Sequence, residues 1–163
     1  MTITTPGVVE AGERPNEGRW FLDTWMKVLC DGESTGGAMS VIDWRGGAGF
    51  SPPLHVHHDE DTAMLVVEGT LTVRIRDVEQ VCGPGKLAWL PRDVPHTFRV
   101  DSETARYVEM ITPAGFENFH VEGSREVSGD AFLPEPTPLG IPALVAHAAE
   151  HNCDIIGPPM DPH

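Results

Sequence analysis

Three histidines in two short stretches are the residues of this chain whose types and spacing can do chemistry. His55 and His57 lie in HVHHDEDT, residues 55–62, and His96 lies in LPRDVPHTF, residues 90–98. Two positions apart on an extended strand, His55 and His57 turn their imidazoles to one face. Neutral ring nitrogens suit a first-row divalent ion, so the pair reads as part of a metal site that His96 completes. Pro91 and Pro95 end one strand and fix the entry to the next, which is how a distant residue reaches a shared centre. Three imidazoles leave an ion its full positive charge and open positions, enough for a chelating small molecule and dioxygen. His58 alternates away from that face and is expected in solvent or a loop contact.

The elements that must position these side chains are strands. RWFLDTWMKVLC (19–30) and GAMSVIDWR (37–45) read as strands joined by the turn-rich DGESTGG, and GGAGFSPP (46–53) as the loop that delivers the histidine strand. A strand is expected over 62–68, whose period of two puts Thr62, Met64 and Val66 on one face and Asp61 on the other. Leu71, Val73 and Ile75 alternate with Thr72, Arg74 and Arg76, a half-buried strand that follows the turn at Glu68 and Gly69. KLAWLP, HTFRV and ARYVEMIT bring the count to about eight or nine, enough to close a double-sheet barrel. Met64, Val66 and Phe98 share parity with the inward ligands, so they either wall a ligand cavity or fill the barrel. Glu109 and Tyr107 alternate together on a late strand whose orientation stays open. Trp20, Trp25, Trp44 and Trp89 read mainly as packing. After residue 113, PAGFENFHVEG suggests a short helical turn, SREVSGDAFLPEPTPLG a linker, and IPALVAHAAEH (141–151) a helix with Pro142 near its start. His120, His147 and His151 are expected to be exposed in that tail, with His120 the one placed to close over a pocket mouth.

Gly49, His55, His57 and Gly69, followed by Gly85, Pro91 and His96, resemble the two sequence motifs of the cupin family. Asp93 and Val100 stand where the second motif has glycine and asparagine. The TGGAMS strand, the PP-x-H-x-H entry, the TPAGFENF segment and the I-I-G-P-P ending are similar to the single-domain cupins grouped with quercetin 2,3-dioxygenase. The resemblance implies an all-β fold, a cupin jelly-roll barrel with a short C-terminal helical tail. It divides the chain into an N-terminal arm (1–18), the barrel (19–113) and a C-terminal extension (114–163). It implies one divalent transition metal per chain, Fe, Ni, Mn, Cu or Zn, on His55, His57 and His96. Counting back from Gly69, Thr62 occupies the position of the family's glutamate ligand; counting forward from His57 by the shorter gap reaches Asp61. Thr62 is therefore expected beside the site without ligating, and Asp61 and Glu60 are the candidate fourth ligands.

The activity implied is that of a metal-dependent dioxygenase acting on a small enolic, phenolic or diketone substrate. Thr62 weakens the transfer of flavonol specificity, because a threonine hydroxyl is neither a good ligand nor a base at neutral pH. A non-oxidative isomerase, dehydratase or polyketide cyclase fits the same pocket, and so does a cupin that binds a small molecule without turnover. Composition narrows the partners. A formal charge of −14 on 163 residues disfavours nucleic acid and anionic membrane surfaces. No apolar run reaches a membrane span, and the N-terminus lacks the pattern of a signal peptide, so a cytoplasmic location is expected. Cys30, Cys82 and Cys153 form no C-x-x-C pair and read as free thiols. The resemblance to cupins implies a homodimer paired through barrel edges.

Overall fold

The computed structural model describes residues 7–162; the first six residues of the expected N-terminal arm lie outside them. Twelve strands are present among the described residues. They run β1 (Arg19–Phe21), β2 (Thr24–Cys30), β3 (Ser40–Gly47), β4 (Leu54–His57), β5 (Asp61–Glu68) and β6 (Leu71–Ile75), then β7 (Val78–Cys82), β8 (Leu87–Leu90), β9 (His96–Val100), β10 (Thr104–Thr112), β11 (Arg125–Glu126) and β12 (Cys153–Gly157). Helices α1 (Gly32–Thr35), α2 (Glu117–Glu122) and α3 (Ile141–Glu150) fall between β2 and β3, after β10, and before β12. Every strand pair is antiparallel. One sheet has the order β11-β1-β2-β3-β10-β5-β8 and the other β12-β4-β9-β6-β7. Between them lies a core that includes Met26, Ile42, Trp44, Val66, Leu71 and Val100, as the alternating strands require. This is the jelly-roll architecture that the strand pattern suggested.

Three local departures have physical causes. Residues 19–30 are not one strand, because Leu22 adopts a φ of 51° and the chain folds into a hairpin with Phe21 opposite Thr24. Thr24 Oγ1 donates to the Phe21 carbonyl at 2.6 Å, closing a turn that carries no glycine signal. The DGESTGG turn contains α1, a single helical turn started by the Asp31 carboxylate, which accepts from Ser34 N at 2.8 Å. The C-terminal extension does more than pack a helix on the barrel: β12 adds to the histidine strand, with Cys153 opposite His57 and Ile155 opposite His55. It thereby covers an edge that β4 would otherwise expose.

The N-terminal arm is stitched across the outer side of the larger sheet. Gly12 N donates to the fully buried Asp43 carboxylate at 3.1 Å, which also pairs with Arg106 at 3.0 Å. Gly12 and Gly18 both press on Trp25, and an added Cβ would stand 2.0 Å and 2.4 Å from its ring. Only glycine permits that approach. Trp25 in turn donates from Nε1 to the Pro15 carbonyl at 2.8 Å and is fully buried.

Candidate metal centre

His55 and His57 are on β4, and His96 opens β9 directly opposite His55. Cross-strand partners in an antiparallel pair project together, so a single register brings all three rings to one inner face. Their ring centroids are 5.0 Å (His55–His57), 4.5 Å (His55–His96) and 5.3 Å (His57–His96) apart, and one nitrogen of each lies within 4.8 Å of the others. The turn between Pro91 and Pro95 is locked to this strand, since Asp93 N donates to the His57 carbonyl at 2.7 Å. Asp93 has a φ of 61°, the left-handed conformation that glycine adopts more easily. His58 points outward as its parity requires. Its two nitrogens meet Asp93 at 2.7 Å and Asp154 at 2.9 Å, and these carboxylates raise its pKa, Asp93 the more strongly.

The protonation states suit an ion. His55 Nδ1 faces the Pro53 carbonyl at 2.7 Å and His96 Nδ1 faces the Val94 carbonyl at 3.0 Å. A carbonyl only accepts, so each Nδ1 carries the proton and each Nε2 keeps a lone pair. His57 Nδ1 is buried with no hydrogen-bond partner. Burial, then repulsion from His55, pushes His96 from the ordinary 6.5 to about 3. Burial and the neighbouring imidazoles hold His57 well below that value, and burial lowers His55 as well. Three neutral imidazoles at this spacing fit one divalent ion.

The acidic candidates do not join them. Asp61 faces outward, as the strand parity predicts, and its carboxylate accepts from Arg92 Nε at 3.2 Å and pairs with another guanidinium nitrogen at 3.0 Å. Glu60 is buried, with Oε2 unpartnered and its pKa raised to about 7, first by burial and then by Asp59, but it is not part of the histidine group. Thr62 sits on the inner face of β5 between Leu90 and Ile111, with a buried Oγ1 that has no partner. If Thr62 lies beside the ion, Thr62→Glu should add a fourth ligand and tighten metal binding by about tenfold, ~1.4 kcal/mol. Asp61→Asn should leave affinity unchanged. Metal titration of both variants decides it: loss of metal in Asp61→Asn with no effect of Thr62→Glu would make Asp61 the ligand.

An apolar pocket opens beside the histidines. His55 and His57 line it together with Met64 and Phe98, as expected from parity. Val66 shares their face but is not among the lining residues; at 1 % exposure it is packed into the core opposite Tyr107. Phe21, Trp44, Phe50, Phe116 and Phe119 make the wall aromatic, and the extension contributes Leu144, Cys153 and Ile155. Trp44 is thus the tryptophan that reaches the cavity. The Phe116 ring stands edge-on to His57, centroids 4.1 Å apart.

Glu109, whose strand face the sequence left open, and His120, expected in the exposed tail, also face the pocket. Glu109 pairs with Met64 across β10 and β5, which settles its orientation. His120 is buried against the pocket rather than exposed in the tail, because α2 turns Phe119 and His120 inward together with Phe116, the residue that precedes the helix. His147 and His151 are half-buried and join α3 to α2. His147 Nε2 donates to the Phe119 carbonyl at 2.9 Å, and His151 meets Glu122 at 2.9 Å. With Glu122 they form a second group whose ligand atoms lie within 4.8 Å of one another.

These shifts predict how the metal-free protein responds to acid. A histidine whose pKa is depressed on folding is protonated first in the unfolded chain, so its contribution to stability falls as pH drops below 6.5. His55, His57, His96 and His120 all act in this sense. Glu60 and Glu109, both raised to about 7, act oppositely between pH 7 and 4.5 and then add nothing further. His58, raised, contributes fully below pH 6.5. The Tm of chelator-treated protein should fall from pH 6.5 to 4, most steeply below 4.5. A Tm that is flat or rises over that range would contradict the buried neutral imidazoles.

Comparison with known proteins agrees with this architecture. The family model described as a cupin domain matches residues 44–111. Quercetin 2,3-dioxygenase of Bacillus subtilis (strain 168) is 33 % identical over 81 residues, 50 % of this chain and 24 % of that protein, so the chain spans about a quarter of that relative's length. Among solved structures, a predicted oxalate decarboxylase from Thermotoga maritima superposes with a TM-score of 0.59 at 14 % identity, over 66 % of this chain and 99 % of that one. An RmlC-like cupin from Shewanella frigidimarina gives 0.57 at 16 %, over 71 % and 98 %. At those identities the likeness is one of fold. No helix among the described residues is long and apolar enough to cross a membrane.

Proposed function

The chain belongs to the cupin superfamily, and we propose that it is a metal-dependent dioxygenase for a small enolic, phenolic or diketone substrate. The observation that carries this reading is the group of three neutral imidazoles, His57 and His96 buried and His55 partly so, of which His55 and His57 line an aromatic pocket and His57 has an unpartnered Nδ1. The partial similarity to a quercetin 2,3-dioxygenase supports the same class. A divalent ion held by His55, His57 and His96 would supply Lewis-acid polarisation of a substrate oxygen and, for a redox-active metal, electron transfer to dioxygen.

The chain's own residues supply binding and orientation. The Pro53 and Val94 carbonyls fix the tautomers of His55 and His96, so their Nε2 lone pairs are set before anything binds. Met64, Phe98 and the aromatic wall take up the apolar body of the substrate, and burying it gives affinity at roughly 25 cal/mol per Å2. Phe116 against His57 excludes water from that side of the centre. Thr62, uncharged and on the inner face of β5, offers no charged ligand, so the centre would be a three-imidazole set.

The test is oxygen consumption. Protein loaded in turn with Fe, Ni, Mn, Cu and Zn is offered acetylacetone and 3-hydroxyflavone. Uptake of dioxygen in proportion to substrate loss with at least one metal is the expected result. Turnover under argon would move the assignment to an isomerase, dehydratase or cyclase, and stoichiometric binding without turnover would make the protein a binding module.

A further inference from the structure

Among the polar side chains that line the aromatic pocket besides His55 and His57, two approach each other. Glu109 reaches the pocket from β10 and His120 from α2. Trp44 Nε1 donates to Glu109 Oε2 at 2.8 Å. His120 Nε2 stands 3.9 Å from that same oxygen, too far for a direct hydrogen bond. Both nitrogens of His120 are buried without a partner, and the residue is only 8 % exposed. Four aromatic rings hold the imidazole edge-on: Phe21 and Trp44 at 4.9 Å, Phe116 and Phe119 at 5.2 Å between centroids. None of these rings can satisfy its nitrogens as an amide or hydroxyl would. Leaving such groups unpaired is costly, and folded proteins seldom do so without a use for them.

We propose that Glu109 and His120 form a second polar subsite in the pocket, which takes a phenolic hydroxyl of the ligand remote from the group directed at the three histidines. One oxygen fits the gap. Atoms 3.9 Å apart can both be reached from a point about 2.8 Å from each. A hydroxyl there donates to Glu109 Oε2 and accepts from His120 in its Nε2–H tautomer. Because Trp44 fixes the carboxyl and the ring cage fixes the imidazole, the pair is organised before binding, which spares the ligand the cost of ordering them. Burial supports the arrangement by raising the Glu109 carboxyl to about 7 and lowering His120 to about 3, so neither group carries a full, fixed charge into the apolar cavity near neutral pH. The ligand class follows: an aromatic molecule with a hydroxyl on its ring, in preference to an aliphatic diketone. The inference rests on the pocket being the substrate site, as proposed above, but not on the metal.

Calorimetric titration with 4-methylphenol and with toluene tests it, using both metal-loaded and chelator-treated protein. A hydroxyl paired at this subsite should make 4-methylphenol bind about tenfold more tightly than toluene. Glu109→Leu and His120→Phe should each abolish the preference, while His96→Ala keeps it. The two variants lie on different elements, so misfolding of one leaves the other decisive. The proposal is overturned if wild-type protein shows no preference for 4-methylphenol, if the preference survives in both variants, or if only His96→Ala removes it, which would put the hydroxyl among the three histidines. Failure of the three histidines to bind metal would sink the proposed function and leave this comparison standing in the chelator-treated protein.

Discussion

Replacing any one of His55, His57 and His96 by alanine should lower metal affinity by more than about 100-fold, beyond the 10–100-fold usual for a residue that only supports a ligand. The reason is the small number of ligands. With Asp61 committed to Arg92 and Glu60 outside the group, two imidazoles would remain to hold the ion. His57→Ala should be the most severe for metal and the mildest for the fold. It removes a ring whose Nδ1 has no partner in the protein, so the apoprotein loses no hydrogen bond at that atom. His55→Ala and His96→Ala each leave a backbone carbonyl, of Pro53 or Val94, without its donor. Dialysis against limiting metal, read by elemental analysis, gives the ratio directly. Full occupancy in all three variants would place the metal elsewhere.

The second large effect is on stability. Trp25→Ala should cost about 3–5 kcal/mol, the range for removing a fully buried large aromatic side chain. For a domain of this size the Tm would fall by on the order of 10 °C. Trp25 is fully buried, Gly12 and Gly18 lie directly on its ring, Phe132 meets it edge-on with centroids 5.1 Å apart, and Arg45 stacks 5.7 Å from it. Removing the indole also deprives the Pro15 carbonyl of its donor. The damage should be local at first: the arm from residue 7 onward would become open to limited proteolysis before the barrel melts, since polar contacts then tie it down, Gly12 N to Asp43, Arg45 to the Gly12 carbonyl, Lys27 to the Glu10 carbonyl and Arg106 to Glu13. Urea denaturation showing a loss under 1 kcal/mol would mean that the arm contributes little to the fold.

Much of the fold and the inner face of the site was legible because both depend on short-range patterns. The His-x-His pair sets a face by a period of two, and β5 keeps that period from Asp61 through Val66, with Thr62, Met64 and Val66 buried and Asp61 turned to Arg92. What the sequence could not convey is pairing between distant segments. Glu109 faces the pocket because it lies opposite Met64, a register fixed by tertiary packing and absent from ARYVEMIT itself. Val66 has the right parity, yet parity does not say where along a strand a cavity ends. His120 belongs to a helix of six residues, too short for an amphipathic period to declare its buried side. β12 follows directly from a helix and is recognisable as a strand only once β4 offers it an unpaired edge. The hairpin at Leu22 was hidden because its turn uses a residue with an unfavourable positive φ in place of glycine.

The central claim is that one divalent ion sits on His55, His57 and His96 at the wall of the aromatic pocket. Anomalous diffraction from metal-loaded crystals, recorded at the absorption edge of the bound metal, tests it most directly. The account predicts one strong peak about 2.0–2.2 Å from a nitrogen of each of the three histidines. A peak held instead by Glu122, His147 and His151, with none among the three histidines, would contradict it.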